Sequence, residues 1–290
     1  MPATIPEIRL QSWLDDTDRV TQGQSGDVTL IRVLGLADFL VRPAASSIEC
    51  RPCLEAPSFS VRHFLLNQVL PRMISVRDPL VIHASAVATG YGAIAFIGPA
   101  GCGKSTLAAS FTLSGAGLLI ADDSVLVRLE EPFPCLVGAY THSRLRADSF
   151  GALGFDAQSI HGDIPAGGKH ILDFASGQRA PTIPVAIRGL FLLHQAPPDQ
   201  QTIEVMRLTG SAAVIALIKN SFLLESSDHG LLRRQFETAT ALIRTGCPCY
   251  ALTYPRRFAD LPLVRDRIRA VLGDQTIGGE KRSSRTVGPG

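Results

Sequence analysis

The sequence predicts an α/β protein: a mixed-sheet domain built around a glycine-rich loop, preceded by a small β-rich N-terminal module. Three observations carry this. Gly98-Pro99-Ala100-Gly101-Cys102-Gly103-Lys104-Ser105-Thr106 fits the pattern G-x-x-x-x-G-K-[ST], with a strand-like run before it and a helix-like run after it. Strand and helix signals then alternate as far as residue 273, so that 58–273 reads as the main domain and 274–290, which has no periodicity, as a disordered tail. Residues 1–57 hold short β-prone runs separated by turn residues.

In the N-terminal module those runs are Glu7 to Trp13, Val28 to Leu34, Leu36 to Val41 and Ile48 to Cys53, punctuated by Gly23, Gly26, Asp27, Pro43 and Ser46-Ser47. Asp15, Asp16, Asp18, Arg42 and Arg51 read as solvated loop charges. From Ser58, residues Val61, Phe64, Leu65, Val69 and Met73 recur near the helical period, and Pro71 kinks or ends this connector. Leu80 to Ala88 reads as a strand, joined through Thr89-Gly90-Tyr91-Gly92 in a hairpin to Gly92 to Ile97, the strand that feeds the loop.

After the loop helix, Ser114-Gly115-Ala116-Gly117 is a stop signal, and Leu118 to Ala121 is an apolar strand ending in Asp122 and Asp123. The short interval from Lys104 to Asp123 leaves room for one helix and one turn, as in a βαβ unit. Ser124 to Leu129 continues as a strand. Arg144 and Arg146 flank Leu145 on an extended segment, where they either touch phosphate or stay solvated. Phe150 to Gly168, rich in Gly, Asp and Ser, suits a lid over an active site, with Asp163, Gly167, Gly168 and Lys169 in or beside it. Further strands are expected at His170 to Phe174, Ile187 to His194, Thr202 to Leu208 and Cys249 to Pro255. Asp228 caps a helix with the stripe Leu232, Phe236, Ala239 and Ile243, and Asp260 to Leu272 forms another.

Composition narrows the class. With 46% hydrophobic and 19% charged residues and no apolar run near the ~18 residues of a membrane span, the chain is expected to stay in water. The first residues carry neither a basic start nor an apolar core, so no secretory signal is expected and the cytoplasm is the expected compartment. A net charge of +2, part of it in the tail around Lys281, Arg282 and Arg285, argues against a nucleic-acid face. The six cysteines are expected to be reduced thiols. Cys50-x-x-Cys53 and Cys247-x-Cys249 read as semi-buried thiols rather than a zinc site, and Cys102 as filler of the loop or an oxidisable thiol.

The chemistry follows from the motif. Glycines let successive N–H groups turn towards one anion, and the helix after them adds its positive end. Gly98, Pro99, Ala100, Gly101, Cys102, Gly103, Lys104, Ser105 and Thr106 are therefore the expected nucleotide-binding residues, reading the phosphates and not the base. Lys104 reaches the outer phosphates, and Ser105 is a ligand of Mg2+. A strand ending in carboxylates delivers Asp122 and Asp123 to the sheet edge where the loop opens, or else they cap the strand that follows. His83 is either a hydrogen-bonded core residue or a catalyst.

His83, the loop Gly98 to Ser105, and Ala121-Asp122-Asp123 together resemble the catalytic domain of bacterial HPr kinase/phosphorylase, of the HPr kinase / PEP carboxykinase-like type. The resemblance is clear over about 80–130. Asn67-Gln68-Val69-Leu70-Pro71-Arg72, His83-Ala84-Ser85-Ala86-Val87 and Tyr250 to Pro255 look like a branch of shorter HPr-kinase-like proteins. Some members of that branch phosphorylate a serine of a lasso-peptide precursor. The resemblance implies Asp122 as general base and phosphoryl-transfer acid, Asp123 as the metal-side carboxylate, and His83 as the histidine facing the phosphates; Lys104, from the loop motif, is also expected to serve catalysis. Ala186-Ile187-Arg188-Gly189 echoes the family's second signature without its acid, which leaves the reverse, phosphorylase reaction and HPr as substrate open.

The function expected is an ATP-dependent serine kinase acting on a peptide or small-protein phosphoacceptor. No nucleic acid or membrane partner is expected, and homo-oligomerisation is left open. The alternatives are a small-molecule kinase or carboxykinase-like enzyme, and a nucleotide-binding regulatory ATPase.

Overall fold

A computed structural model describes residues 9–12, 20–138, 142–154, 169–173, 176–180, 183–197, 199–225 and 227–273. Asp15, Asp16 and Asp18, most of the expected lid and the tail 274–290 lie outside them.

The N-terminal strands build an antiparallel five-stranded sheet in chain order: β1 (Arg9–Ser12), β2 (Val20–Ser25), β3 (Val28–Val33), β4 (Ala37–Arg42) and β5 (Ser47–Pro52). Gly23, expected in a turn, lies inside β2 opposite Leu30; the turn itself is at Gly26 and Asp27. Alternation buries the pair Leu30 and Leu40 on one face and puts Ile31, Val33, Phe39 and Val41 on the other, also buried. That face is covered by the segment read as a connector, α1 (Ser58–Phe64), a π turn (Leu65–Val69) and α2 (Leu70–Ser75), through Val61, Phe64, Leu65, Val69 and Met73. Pro71 does not end the helix. It sits at the start of α2, where a missing N–H costs least, and the π turn before it absorbs the irregularity.

The second sheet is mixed and nine-stranded. Its strands are β6 (Val81–Ile82), β7 (Ala84–Thr89), β8 (Gly92–Ile97), β9 (Leu118–Ala121), β10 (Val125–Arg128), β11 (Cys135–Gly138), β14 (Val185–Leu193), β15 (Glu204–Leu208) and β16 (Cys249–Thr253). The order is β6-β10-β11-β14-β8-β7-β9. β16 pairs with the end of β14, and β15 lies outside β16. β8, β14 and β16 run parallel; β7 pairs antiparallel with β8 in the expected hairpin and with β9 on its other side. The unit β8–α3–β9, with α3 at Lys104–Leu113, is therefore a crossover with β7 lying between its two strands.

Two short links join opposite ends of this sheet. His83 lies between β6 at one end and β7 near the other, so the expected strand Leu80 to Ala88 is broken in two. Asp122-Asp123-Ser124 makes the same passage from β9 to β10. The sheet curls, and both links lie along its seam.

Alternation in β8 sends Ile94 and Phe96 to one face and Ala93, Ala95 and Ile97 to the other. The first face packs on α3 and α7 (Leu261–Gly273) through Leu107, Phe111, Val264 and Ile268. The second packs on α5 (Gly210–Lys219) and α6 (His229–Arg244) through Ala213, Leu217, Ala239 and Leu242. Asp228 caps α6, its Oδ1 accepting from the amides of Gly230 and Leu231 at 2.8 and 3.0 Å. The inward face of α6 is Leu231, Gln235, Ala239 and Leu242, turned about one residue from the expected stripe, and Phe236 is exposed.

Beside α3, β12 (His142–Arg146) and β13 (Lys169–Asp173) form a ribbon, and α4 (Ala147–Ala152) takes up the start of the expected lid. All six cysteines are free. Among the described residues, no helix is long and apolar enough to cross a membrane.

Candidate active site

The loop between β8 and α3 closes on itself through its own lysine. Lys104, buried, donates from Nζ to the carbonyls of Gly98 at 2.8 Å and Pro99 at 3.0 Å. Gly98 and Gly103 have φ of +143° and +91°, backbone that a side chain rarely adopts. A Cβ on Gly103 would also stand 2.7 Å from Arg256 Nη1 and 3.0 Å from the Tyr254 hydroxyl.

Those two residues follow β16 and form the outer wall of the loop. Arg256 donates from Nη1 to the carbonyl of Cys102 and from Nη2 to that of His194 at 3.3 Å, and its guanidinium lies 5.3 Å from the Tyr254 ring centroid. Burial pushes the Tyr254 hydroxyl up to about 12, so it remains a neutral donor. On the other flank, Thr106 Oγ1 is 3.1 Å from Ser149 Oγ of α4.

The two aspartates part company. Asp122 is 1% exposed, and its Oδ1 accepts from Ser105 Oγ at 3.0 Å and from Ser85 Oγ of β7. Asp123 has φ of +69°, left-handed backbone, and it lines the cleft. Adjacent residues of a strand face opposite ways; the ending of β9 at Ala121 lets both carboxylates lie near Ser105 and the cleft. The resemblance implies Asp123 as the metal-side carboxylate; the Ser105 hydroxyl is bonded to Asp122.

His83 donates from Nδ1 to the carbonyl oxygen of Asp123 at 2.8 Å, and its own amide donates to Asn220 at 2.6 Å. Burial, and then the charge of Lys104, lower its pKa below the usual histidine value. The carboxylates of Asp123 and Asp122 oppose that shift less strongly.

These groups meet in one cleft of about 1400 Å³. Its lining includes His83, every residue of the loop from Gly98 to Thr106, Asp123, Arg146, Ser149 and Arg256. Asp122 lies beneath it. Arg144 has no described side chain. Arg72, at the end of the quoted run Asn67 to Arg72, also lines the cleft, and so do Lys219, Phe222, Ser149, Arg256 and Arg257, which sequence reasoning missed. The run Tyr250 to Pro255, already singled out, leads directly into Arg256; the others carried no local signal.

The donor set next to the loop is compatible with magnesium, a hard cation that takes oxygen ligands. Ser105 and Asp122 offer hard oxygens, and among the described residues there is no group of three or more His, Cys, Asp or Glu that could hold an ion.

No family model matches the sequence, and no curated protein matches it. Among solved structures, the HPr(Ser) kinase/phosphatase from Coxiella burnetii aligns with 68% of this chain and 99% of its own at 13% identity, with a TM-score of 0.36. An overlap of that kind establishes no common activity.

Proposed function

We propose that the protein is an ATP-dependent kinase that transfers the γ-phosphate to a hydroxyl, a serine of a peptide or small protein. The observation that carries this reading is the pairing, across one cleft, of the Gly98–Thr106 loop with a solvent-facing carboxylate and a neutral histidine. A nucleotide switch has no need of a base opposite its phosphates; a kinase does.

In this reading the loop amides and Lys104 hold the phosphates, Lys104 exchanging the Gly98 and Pro99 carbonyls for phosphate oxygens. Ser105, with Asp122 behind it, holds Mg2+, which when bound offsets charge on the phosphates. Asp123 takes the proton of the acceptor hydroxyl. The acceptor oxygen forms its bond to the γ-phosphorus as the bond from that phosphorus to the β–γ bridging oxygen breaks, and ADP departs with the bridging electron pair. The roles implied by the resemblance are thus exchanged, because the buried carboxylate is the one bonded to the Ser105 hydroxyl. His83 fixes the Asp123 backbone through Nδ1 and leaves Nε2 as an acceptor.

Incubation with γ-labelled ATP, serine-containing peptides and hydroxylated metabolites tests this. Label on a peptide is the expected result. Label only on metabolites favours the small-molecule kinase, and label only as free phosphate favours the regulatory ATPase.

A further inference from the structure

The cleft extends past His83 and Asp123 to a wall supplied by other parts of the chain: Gln22 of β2, Gln68 and Arg72 from the helices that cover the N-terminal sheet, Lys219 at the end of α5 and Phe222 after it. Phe222 is fixed through its backbone, its amide donating to Val81 at 2.7 Å and its carbonyl accepting from Gln235 Nε2 at 3.2 Å. Its ring meets His83 edge-on at 5.9 Å and carries the Arg72 guanidinium 5.3 Å from its centroid. Arg72 Nη1 also donates to the Gln68 carbonyl at 2.5 Å and to Gln68 Oε1 at 3.0 Å. Arg72 is therefore held in place one aromatic ring away from His83.

Charge is uneven along this cleft. Arg256, bonded to the Cys102 carbonyl, stands with Lys104 on the side of the loop. Asp148, which accepts from the Ser149 amide at 2.7 Å, is on the Thr106 side. Among the described residues, the segments that supply Arg72 and Lys219 bring no carboxylate to the lining, whose acidic residues are Asp123 and Asp148. A hydroxyl presented to Asp123 leaves the rest of its molecule between His83 and these two cations.

We propose that this end is the acceptor subsite, and that the acceptor carries an anionic group, carboxylate or phosphate, beside its hydroxyl. Arg72 binds that group, and Lys219 adds charge at the rim. A planar guanidinium already oriented by Phe222 and Gln68 matches such an anion with little ordering left to do. The inference rests on the kinase reading, and it gives the N-terminal sheet and its helices a part in choosing the substrate.

The test uses the full chain saturated with Mg·AMP-PNP, which fills the loop. The probes are Ac-Ala-Ser-Asp-Ala-NH2, its Asn counterpart and free D-glycerate, measured by titration calorimetry. The Asp peptide should bind roughly tenfold tighter than the Asn peptide. Arg72→Ala should remove that difference without changing AMP-PNP affinity, and Arg72→Lys should restore part of it. Lys219→Ala, at an exposed position, should weaken the Asp peptide alone by roughly threefold and serves if Arg72→Ala does not fold. Arg72-dependent binding of glycerate rather than peptide keeps the subsite and identifies a free acid as its source. Equal binding of the two peptides without Arg72-dependent glycerate binding, no binding of any probe, or a preference that the Arg72 and Lys219 variants leave intact overturns the proposal. Arg72-dependent binding with no label transfer to any acceptor would instead defeat the kinase reading and leave the subsite standing.

Discussion

His83 and Asp123 are joined by one hydrogen bond, from Nδ1 of the ring to the main-chain oxygen at 2.8 Å, and that bond spans the two links along the seam of the curled sheet. A carbonyl only accepts, so the ring proton is on Nδ1 and Nε2 carries a lone pair towards its surroundings.

The first prediction concerns this proton. Burial and Lys104 lower the His83 pKa, so the folded protein binds fewer protons here than the unfolded chain as pH falls below the ordinary histidine value. Stability at this site is full above that value and is lost as pH falls through the interval down to the folded pKa. Histidine Cε1 resonances followed by NMR should give His83 a midpoint below 6.5, the value from which it is displaced. A midpoint above it would mean that the Asp123 and Asp122 carboxylates outweigh burial. His83→Asn, which keeps a donor for the Asp123 carbonyl and loses Nε2, should flatten the acid side of the stability curve.

A second prediction separates the aspartates. Asp123→Asn should retain nucleotide and magnesium affinity while phosphate transfer falls by ~10²–10⁴-fold, the usual contribution of a positioned base. Asp122→Asn should raise the magnesium requirement, and Ser105→Ala should do the same, because the two share one hydrogen bond at 3.0 Å. If Asp122→Asn is inactive at saturating magnesium while Asp123→Asn transfers normally, the assignment implied by the family resemblance is restored.

Why the loop, the hairpin and the Asp228 cap were legible, and the far wall was not, is a matter of range. Gly98 to Thr106 and Asp228 act on backbone groups within a few residues of themselves, so their chemistry is written locally. β2 was missed because Thr21, Gln22 and Gln24 alternate with nothing strongly apolar; its pairing with β1 and β3 holds it in the sheet. The inward face of α6 was misplaced because Gln235, a polar residue, takes a core position to donate to the Phe222 carbonyl. Phe222 and Arg72 in turn come together only through the fold. Adjacent letters, Asp122 and Asp123, do not say which carboxylate is buried against Ser105 and which lines the cleft. That depends on where β9 ends, at Ala121.

A third prediction concerns Lys104. Its ammonium is held by the Gly98 and Pro99 carbonyls, close to where outer phosphates would lie. Lys104→Ala should weaken ATP and ADP binding by roughly tenfold to a hundredfold, the range for charged hydrogen bonds, and abolish measurable transfer. AMP, which lacks outer phosphates, should be affected far less. Equal losses for AMP and ATP in equilibrium titrations would show that the lysine supports the loop rather than the ligand.

The last prediction treats Gly103 and Arg256 as one device. Gly103→Ala forces a side chain into left-handed backbone at φ of +91° and into contact with Arg256 and Tyr254. Tyr254 is buried and cannot yield; Arg256 can yield only by breaking its bond to the Cys102 carbonyl. Gly103→Ala should therefore destabilise the protein by about 1–3 kcal/mol from backbone strain and crowding together and weaken nucleotide binding. Arg256→Ala removes one obstacle and also the strut on the loop, so alone it should weaken nucleotide binding with a smaller effect on stability. In the double variant the crowding by Arg256 is gone while the strain remains, so the two stability losses should sum to more than the loss measured for the pair. Chemical denaturation of the four proteins in the cycle measures this directly. Strict additivity would mean that the guanidinium gives way freely and that the wall formed by Tyr254 and Arg256 does not brace the loop.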